Sequence, residues 1–249
     1  MKKDIKFEFL KPKWPAPLNI KAISTKRGHG FSEDNWRGFN FALHVGDKEK
    51  DVMKNRSFLM EYLKLRDDPF KLMQVHGNRI CELPLTENIE ADASTTSIPN
   101  QVCAILTADC LPILLTTTNG DRVAAVHAGW RGLVNGIIES SLEKFKGKNP
   151  LLAWLGPAIG NQSFKVGGEV RDLFLRNNPK SESSFKEIGN NFWLADIYAL
   201  ARLILEKNGV KNIFGGTHCT YSNIRDFYSY RRESTTGRMA TLIWIEEPN

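Results

Sequence analysis

The chain has 249 residues, of which 41% are hydrophobic and 25% are charged, the composition of an ordinary globular protein. Mixed α/β folds of this length commonly form one unit, so we expect residues 1–249 to be a single catalytic domain. The 34 Lys and Arg residues give a formal net charge of +6 against 28 Asp and Glu residues. Because the basic residues are scattered, this charge argues against a nucleic-acid partner and suits a small anionic substrate.

The cysteines and the apolar runs bear on the cellular compartment. Cys81, Cys103, Cys110 and Cys219 form no CxxC pair, which is typical of free thiols in a reducing compartment. The segment MKKDIKFEFL carries charges through its apolar stretch, unlike a secretory signal. No run of about 18 apolar residues is present to span a membrane. We therefore expect a cytoplasmic protein without a membrane partner. A monomer is also expected, although no motif bears on the oligomeric state.

The first quarter of the chain predicts two strands, a loop and a helix. Strands are expected at 5–9 and 20–24. The segment 25–47 holds four glycines and four aromatic residues, so we expect an ordered surface loop of the kind that carries binding groups. A helix is expected over 48–65, capped by Asp47.

The rest of the chain mixes strands with helices. Asn119-Gly120 is a strong hairpin signal, so 111–118 and 122–127 should pair as antiparallel neighbours. Further strands are expected at 72–75, 79–83, 101–107, 151–155 and 239–246, and helices at 130–146, 167–176 and 194–208. This order predicts an α/β fold whose sheets contain both parallel and antiparallel pairs.

Three side chains stand out in otherwise apolar segments: His76 in LMQVHGNR, Cys110 in LTADCLPILL and His127 in VAAVHAGWRGLVNG. The predicted hairpin would bring its outer ends, Cys110 and His127, close together. Two imidazoles and one thiolate match a catalytic zinc, which takes three protein ligands and leaves one position open for water. Taken singly, such residues are more often plain core or surface groups. A metal-free pair, with Cys110 as nucleophile and His127 as base, would serve a thiol hydrolase.

Asp109 lies next to the candidate ligand Cys110. A carboxylate there can orient a ligand histidine through its second ring nitrogen, act as a general base, or simply form a turn. The sequence alone leaves these alternatives open.

Several long motifs in the same order resemble one family: QVHG, TADCLPILL, VAAVHAGWRGLVNGI, LGPAIG and FYSYRRESTTGRMA. It is the bacterial YfiH-like family, also called the multicopper polyphenol oxidoreductase or laccase-domain family. The resemblance runs from Thr25 to about residue 245. It implies a layered α/β/β/α fold shared with cytotoxic necrotising factor catalytic domains, and a metal site at His76, Cys110 and His127. One departure is His29, where the family pattern has a second glycine.

The resemblance implies three activities. These are copper-dependent oxidation of polyphenols, zinc-dependent cleavage of purine nucleosides, and amidase editing of peptidoglycan precursors. Our leading hypothesis is the zinc enzyme, which combines phosphorolysis of adenosine, inosine, guanosine and methylthioadenosine with deamination of adenosine. Five histidines are too few for a multicopper centre, although imidazole binds copper as well as zinc. A purely structural zinc ranks last, because structural sites use four protein ligands.

Phosphorolysis needs a cationic pocket for phosphate, and arginine offers a rigid fork that matches phosphate oxygens. Arg131 falls in the first turn of a predicted helix just after His127, where the helix N-terminus also favours anions. Arg56 and Arg232 are the other candidates for binding phosphate.

Overall fold

The computed structural model describes residues 7–147 and 150–247, and two β-sheets form its centre. The first sheet is antiparallel, with four strands in the order β1 (Phe9–Leu10), β2 (Ile20–Thr25), β15 (Met239–Ile245) and β7 (Val102–Thr107). The second has six strands in the order β14 (Asn212–Gly215), β10 (Leu151–Leu155), β8 (Leu111–Thr117), β9 (Val123–Ala128), β6 (Ala93–Thr96) and β4 (Ile80–Glu82). It is mixed, because β14 and β4 run parallel to their neighbours while the other pairs are antiparallel.

Smaller elements surround these sheets. A three-stranded antiparallel sheet contains β11 (Lys165–Gly167), β13 (Phe192–Ala195) and β12 (Phe185–Glu187), and a parallel pair contains β3 (Leu72–Met73) and β5 (Ile89–Glu90). The α-helices are α1 (Glu49–Leu63), α2 (Trp130–Val134), α3 (Ile137–Glu143), α4 (Gly168–Asn177) and α5 (Ile197–Lys207). Short 3-10 helices cover Asp34–Trp36 and Pro179–Ser184. Within the described ranges, no helix has the length and apolar character needed to cross a bilayer.

The side chains of β8 show how the layers stack. Successive residues of a strand point to opposite faces of its sheet. Leu111 and Ile113 therefore pack in the core shared with α2, α3, α4 and α5, whereas Leu114 packs in the core shared with the four-stranded sheet. The outer face of the four-stranded sheet packs against α1, where Leu59 is fully buried. The order of layers is thus helix, sheet, sheet, helices, which confirms the predicted α/β/β/α fold.

The long apolar segments fold as predicted. The hairpin forms through Asn119-Gly120, and its register pairs Leu111 with Ala128 and Pro112 with His127. The expected helix over 48–65 and the expected strand over 151–155 are α1 and β10. Both faces of β8 and β9 are buried, which explains why these strands read as continuous apolar runs.

The predictions that differ from the structure have local causes. The helix expected over 130–146 is two helices, because Gly136 adopts a left-handed conformation (φ 86°) between α2 and α3. Asp47 does not cap α1: the N-cap is Lys48, and the Asp47 carboxylate accepts hydrogen bonds from the Lys48 N–H and the Asn40 amide. The strand expected over 5–9 begins only at Phe9, and residues 5 and 6 lie outside the described residues.

The glycine-rich segment is held in place by α1. The Asn55 side chain accepts a hydrogen bond from the Phe31 N–H and donates to Ser32 Oγ and the carbonyls of Gly38 and Asn40. The four hydrogen bonds of this buried amide fix the loop against α1. The loop is therefore ordered, but it is not a surface loop throughout, because Phe39 and Phe41 are buried in the core beside α1.

Candidate metal centre and its cleft

His76, Cys110 and His127 meet at one point, as the sequence predicted. Cys110 Sγ lies 3.6 Å from His76 Nε2, and the two imidazole ring centroids are 4.8 Å apart. One donor atom from each residue lies within 4.8 Å of the others. His127 is buried in β9, Cys110 is half-buried at the start of β8, and His76 is exposed on the loop after β3. The hairpin register places Cys110 and His127 together, whereas His76 arrives from a distant part of the chain.

A buried carboxylate, Asp92, fixes both histidines. Its Oδ1 accepts a 2.7 Å hydrogen bond from His127 Nδ1 and a 2.9 Å bond from the His76 N–H. Its Oδ2 accepts the N–H groups of Val75 and Gly77. These contacts hold His76 at φ 63°, a conformation that non-glycine residues adopt only when their surroundings require it. Because Asp92 occupies Nδ1 of His127, the remaining nitrogen, Nε2, is left for the cluster.

Asp92 therefore makes the orienting contact that the sequence offered as one of several roles for Asp109. The Asp109 carboxylate instead accepts hydrogen bonds from Thr220 Oγ1 at 2.6 Å, Ser229 Oγ at 3.0 Å and the Arg231 N–H at 2.6 Å. Asp109 holds a long loop against the end of β7, and that role explains its burial. Asp92 lies in the ordinary-looking segment IEADAS, which carries no signal of this contact.

The charges of the cluster favour a thiolate beside an imidazolium when no metal is bound. Burial opposes ionisation of Cys110, but the charge of His127 and hydrogen bonds from both histidines outweigh it and lower the pKa of the thiol to about 6. Burial likewise opposes the charge on His127, whereas Cys110 and Asp92 raise the pKa of the imidazole to about 9. By contrast, burial raises the pKa of the Cys103 thiol to about 12.

The donor set fits a zinc ion. Ligand atoms at about 2.0–2.3 Å from a tetrahedral zinc lie about 3.5 Å from one another, close to the 3.6 Å between Cys110 Sγ and His76 Nε2. Gly129 borders the same space: a Cβ there would lie 2.8 Å from His76 Cδ2 and 3.1 Å from Cys110 Sγ. The packing at this point thus requires a residue without a side chain.

A large cleft of about 1210 Å³ opens over the cluster. One wall comes from α1, residues 43–44 and the segment 68–74, and it includes the apolar residues Leu43, Met53, Phe70 and Met73. The other wall comes from α2, β11 and α4. The basic residues that line the cleft are Arg56, Lys71, Arg131, Lys165, Arg231 and Arg238. The cleft is therefore suited to a ligand that has both apolar and anionic parts.

The predicted phosphate-binding arginines differ in their placement. Arg131 lines the cleft, is exposed, and stacks on the Trp130 ring with 4.3 Å from Cζ to the centroid. Arg56 also lines the cleft, but its guanidinium already donates to the Phe41 carbonyl and pairs with Asp68 at 3.3 Å.

Arg232 is unlike these two arginines. It lies outside the lining of the cleft, and its guanidinium donates to the carbonyls of Thr220, Tyr221 and Phe227. Its neighbours Arg231 and Arg238 line the cleft instead. The arginines of SYRRESTTGRMA thus reach the cleft through Arg231 and Arg238, whereas phosphate binding by Arg232 stays a prediction that its placement does not favour.

The fold and the site together define a layered α/β protein with a candidate metal centre in an open cationic cleft. Known proteins are similar to this chain over nearly its whole length. The family model described as multi-copper polyphenol oxidoreductase laccase matches residues 21–246. The chain belongs to this family, which is the YfiH-like family of the sequence resemblance.

Relatives of full length carry one name. The Haemophilus influenzae protein named purine nucleoside phosphorylase is 43% identical over 241 residues, which cover 95% of this chain and 99% of the relative. The Escherichia coli K12 protein named purine nucleoside phosphorylase YfiH is 45% identical over 239 residues, which cover 94% and 97%. These names support an enzymatic function.

Solved structures agree with the fold. The crystal structure of a Neisseria meningitidis protein of family DUF152 has a TM-score of 0.90 and 41% identity, and the match covers 96% of this chain and 99% of that one. YlmD from Geobacillus stearothermophilus has a TM-score of 0.89 and 28% identity, with 98% and 99% covered.

Proposed function

We propose that this protein is a purine nucleoside phosphorylase that also deaminates adenosine. The observation that carries the proposal is the shared cleft, in which a His-Cys-His cluster lies in one cavity with arginine side chains. The names of the full-length relatives support the nucleoside as substrate. The apolar wall formed by Leu43, Met53 and Met73, which are 42%, 41% and 51% exposed, suits the face of a purine base.

In the proposed reaction, an oxygen of inorganic phosphate forms a bond to C1′ of the ribose while the bond from C1′ to purine N9 breaks. The electron pair of that bond leaves with the purine, which takes up a proton. The products are the free base and ribose 1-phosphate. Arg131 is the candidate to hold the phosphate through two N–H groups, and Arg56 adds positive charge to the opposite wall.

His76, Cys110 and His127 would hold the metal, and Asp92 would keep the His127 ring in place. Zinc in this position would supply Lewis-acid activation of water for the deamination of adenosine. Elemental analysis of protein purified without added metal should find about one zinc per chain, as expected for a three-ligand site. The variant Cys110→Ala should lose this zinc, and full zinc occupancy in that variant would exclude Cys110 as a principal ligand.

The test of the function is a product assay. Zinc-loaded protein should convert inosine and phosphate to hypoxanthine and ribose 1-phosphate, and it should convert adenosine to inosine without phosphate. Chromatography of the bases and an assay for the sugar phosphate separate the two reactions. Absence of any free base at high enzyme concentration would contradict the phosphorylase.

A second candidate is a thiol amidase, and one observation favours it. Cys110, His127 and Asp92 form a chain of thiol, imidazole and carboxylate, the arrangement that activates a cysteine nucleophile. In the amidase, Cys110 Sγ would attack the amide carbonyl of a peptidoglycan precursor, and His127 would protonate the departing nitrogen. Water would then hydrolyse the thioester.

His76 distinguishes the two candidates, because only the metal enzyme needs it as a ligand. His76→Ala should lower nucleoside turnover by at least about 10–100-fold. A loss of that size is typical when a residue that only hydrogen-bonds to a metal ligand is removed, and His76 is itself a candidate ligand. A chelator should have the same effect on the wild type, and added zinc should restore it. Activity on muropeptides that survives both treatments but not alkylation would establish the amidase instead.

A further inference from the structure

Arg238 lines the cleft, and the proposed function has not used it. It directly precedes β15, where its N–H donates to Asn40 Oδ1 at 2.9 Å and its carbonyl accepts from the Phe41 N–H at 3.3 Å. The residue before it is closely packed, since a Cβ on Gly237 would lie 2.7 Å from the Tyr228 ring. The backbone of Arg238 is therefore fixed between the glycine-rich loop and the four-stranded sheet.

The guanidinium of Arg238 is half-buried and only partly used. Its Nη1 donates to the carbonyls of Thr236 and Gly237 at 2.9 and 3.0 Å. Among the residues that the structure describes, neither Nε nor Nη2 of Arg238 has a hydrogen-bond partner. Two free donors on a positioned guanidinium that faces a cavity match two oxygens of a phosphate or carboxylate.

The surroundings of Arg238 place it close to the cluster. Burial lowers its pKa, while the charges of Cys110, Asp109 and Tyr230 act in the opposite direction. His44 lines the same cleft, and burial together with the charges of Arg238 and Arg56 lowers the pKa of its imidazole. His44 therefore lies close enough to Arg238 for its imidazole to be affected by the Arg238 charge.

We propose that the guanidinium of Arg238 is an anion subsite on the wall of the cleft built by the four-stranded sheet, and that this subsite binds a phosphate group. Arg131 lines the same cleft from the helical wall. Arg56 is less suited to this role, because Phe41 and Asp68 already occupy its donors. The inference rests on the proposed function for its ligand, which is either inorganic phosphate or the phosphate of a nucleotide.

Direct titration of the zinc-loaded protein with inorganic phosphate, in the absence of nucleoside, tests the subsite. Arg238→Gln should weaken binding at least about tenfold, the effect of losing one hydrogen bond to a charged group. The control Lys165→Gln removes one positive charge from the same cleft, where Lys165 Nζ lies over the Phe192 ring at 3.7 Å. This control should change phosphate affinity much less. Equal losses of phosphate affinity in the two variants would mean that any positive charge in the cleft has the same effect, and this result would overturn the proposal.

A structural role for Arg238 is separable from binding. Melting curves without phosphate show whether each variant is folded, and Arg238→Lys serves as a second variant if Arg238→Gln is unstable. Lysine keeps the charge but loses the fork, so its affinity for phosphate should fall between those of wild type and the glutamine variant. Wild-type affinity in a folded Arg238→Gln protein, for both phosphate and inosine monophosphate, would overturn the subsite.

Two further arms identify the source of the phosphate and separate the two proposals. A loss of inosine monophosphate binding with unchanged binding of inorganic phosphate would assign the subsite to a nucleotide. Because binding is measured without turnover, the subsite can stand even if no nucleoside is cleaved. In that case the proposed function fails, and the anion subsite is retained.

Discussion

Asp92 and His127 are joined by a hydrogen bond of 2.7 Å between two buried side chains, and the same carboxylate holds the backbone of His76. One residue thus positions two of the three candidate ligands. The pKa of Asp92 is lowered although burial opposes this, because His127 and the N–H groups of Gly77 and His76 stabilise its charge.

We predict that Asp92→Asn lowers zinc affinity about 10–100-fold, the usual effect of removing a group that orients a ligand histidine. The Asp92 carboxylate accepts hydrogen bonds from His127 and from three N–H groups with two oxygens. Asparagine replaces one of these oxygens with an NH₂ group, which would then face a donor. Asp109→Asn is the matched control, since Asp109 is also buried and accepts three hydrogen bonds. Competition with a zinc chelator measures the affinity, and an equal loss in both variants would remove the special role of Asp92.

Gly129→Ala should disturb the cluster without unfolding the protein. The backbone of Gly129, at φ −67° and ψ 162°, is open to alanine. The added methyl group would lie 2.8 Å from the His76 ring, so the ring must move. A displacement of about 1 Å can cost about 100-fold in rate. Turnover and zinc content should fall while the melting temperature stays near that of wild type, and a fully active variant would show that His76 has freedom to move.

Arg131→Lys should raise KM for phosphate more than it changes deamination. Lysine keeps the charge but cannot make the two-pronged contact, which is worth about tenfold per lost bond to an anion. Both reactions are measured on the same preparation, together with its melting curve. Equal loss of both activities with a lower melting temperature would mean that Arg131 only stabilises α2 through its contact with Trp130.

The thiols of the metal-free protein should differ in their reaction with iodoacetamide. A pKa lowered to about 6 leaves Cys110 mainly as the reactive thiolate at neutral pH, and its labelling should slow as the pH falls through that value. Cys103, with a pKa raised to about 12, should stay unlabelled in the folded protein. Mass spectrometry of the labelled peptides gives the rates. A midpoint for Cys110 near that of an ordinary thiol would contradict the ion pair with His127, and added zinc should protect Cys110.

Several properties stay predictions. They are the single catalytic domain, the cytoplasmic location and the monomeric state. The choice of zinc over copper follows from the proposed chemistry, because imidazole ligands accept both metals. His29, which departs from the family pattern, is exposed on the glycine-rich loop.

The sequence by itself determined a mixed α/β fold and the three members of the cluster, and its resemblance to a family implied the order of the layers. Continuous apolar runs mark strands buried on both faces, and Asn119-Gly120 sets the hairpin register that joins Cys110 to His127. These are local signals, since they depend on residues adjacent in the chain. The same local reasoning missed short strands such as β6 and β13, which are too brief to show a period.

Only the tertiary structure decided which residues support the cluster. Asp92 lies 16 residues from His76 and 35 residues from His127 in the chain, so its contacts arise from the pairing of β6 with β9 and of β6 with β4. Arg232 and Arg238 lie in the same segment, yet Arg232 donates to three backbone carbonyls outside the cleft, whereas Arg238 donates to two carbonyls and also lines the cleft. The position of a charged side chain depends on which hydrogen-bond acceptors the folded chain brings close to it. Those acceptors come from distant parts of the chain, so the neighbouring residues in the sequence do not predict them.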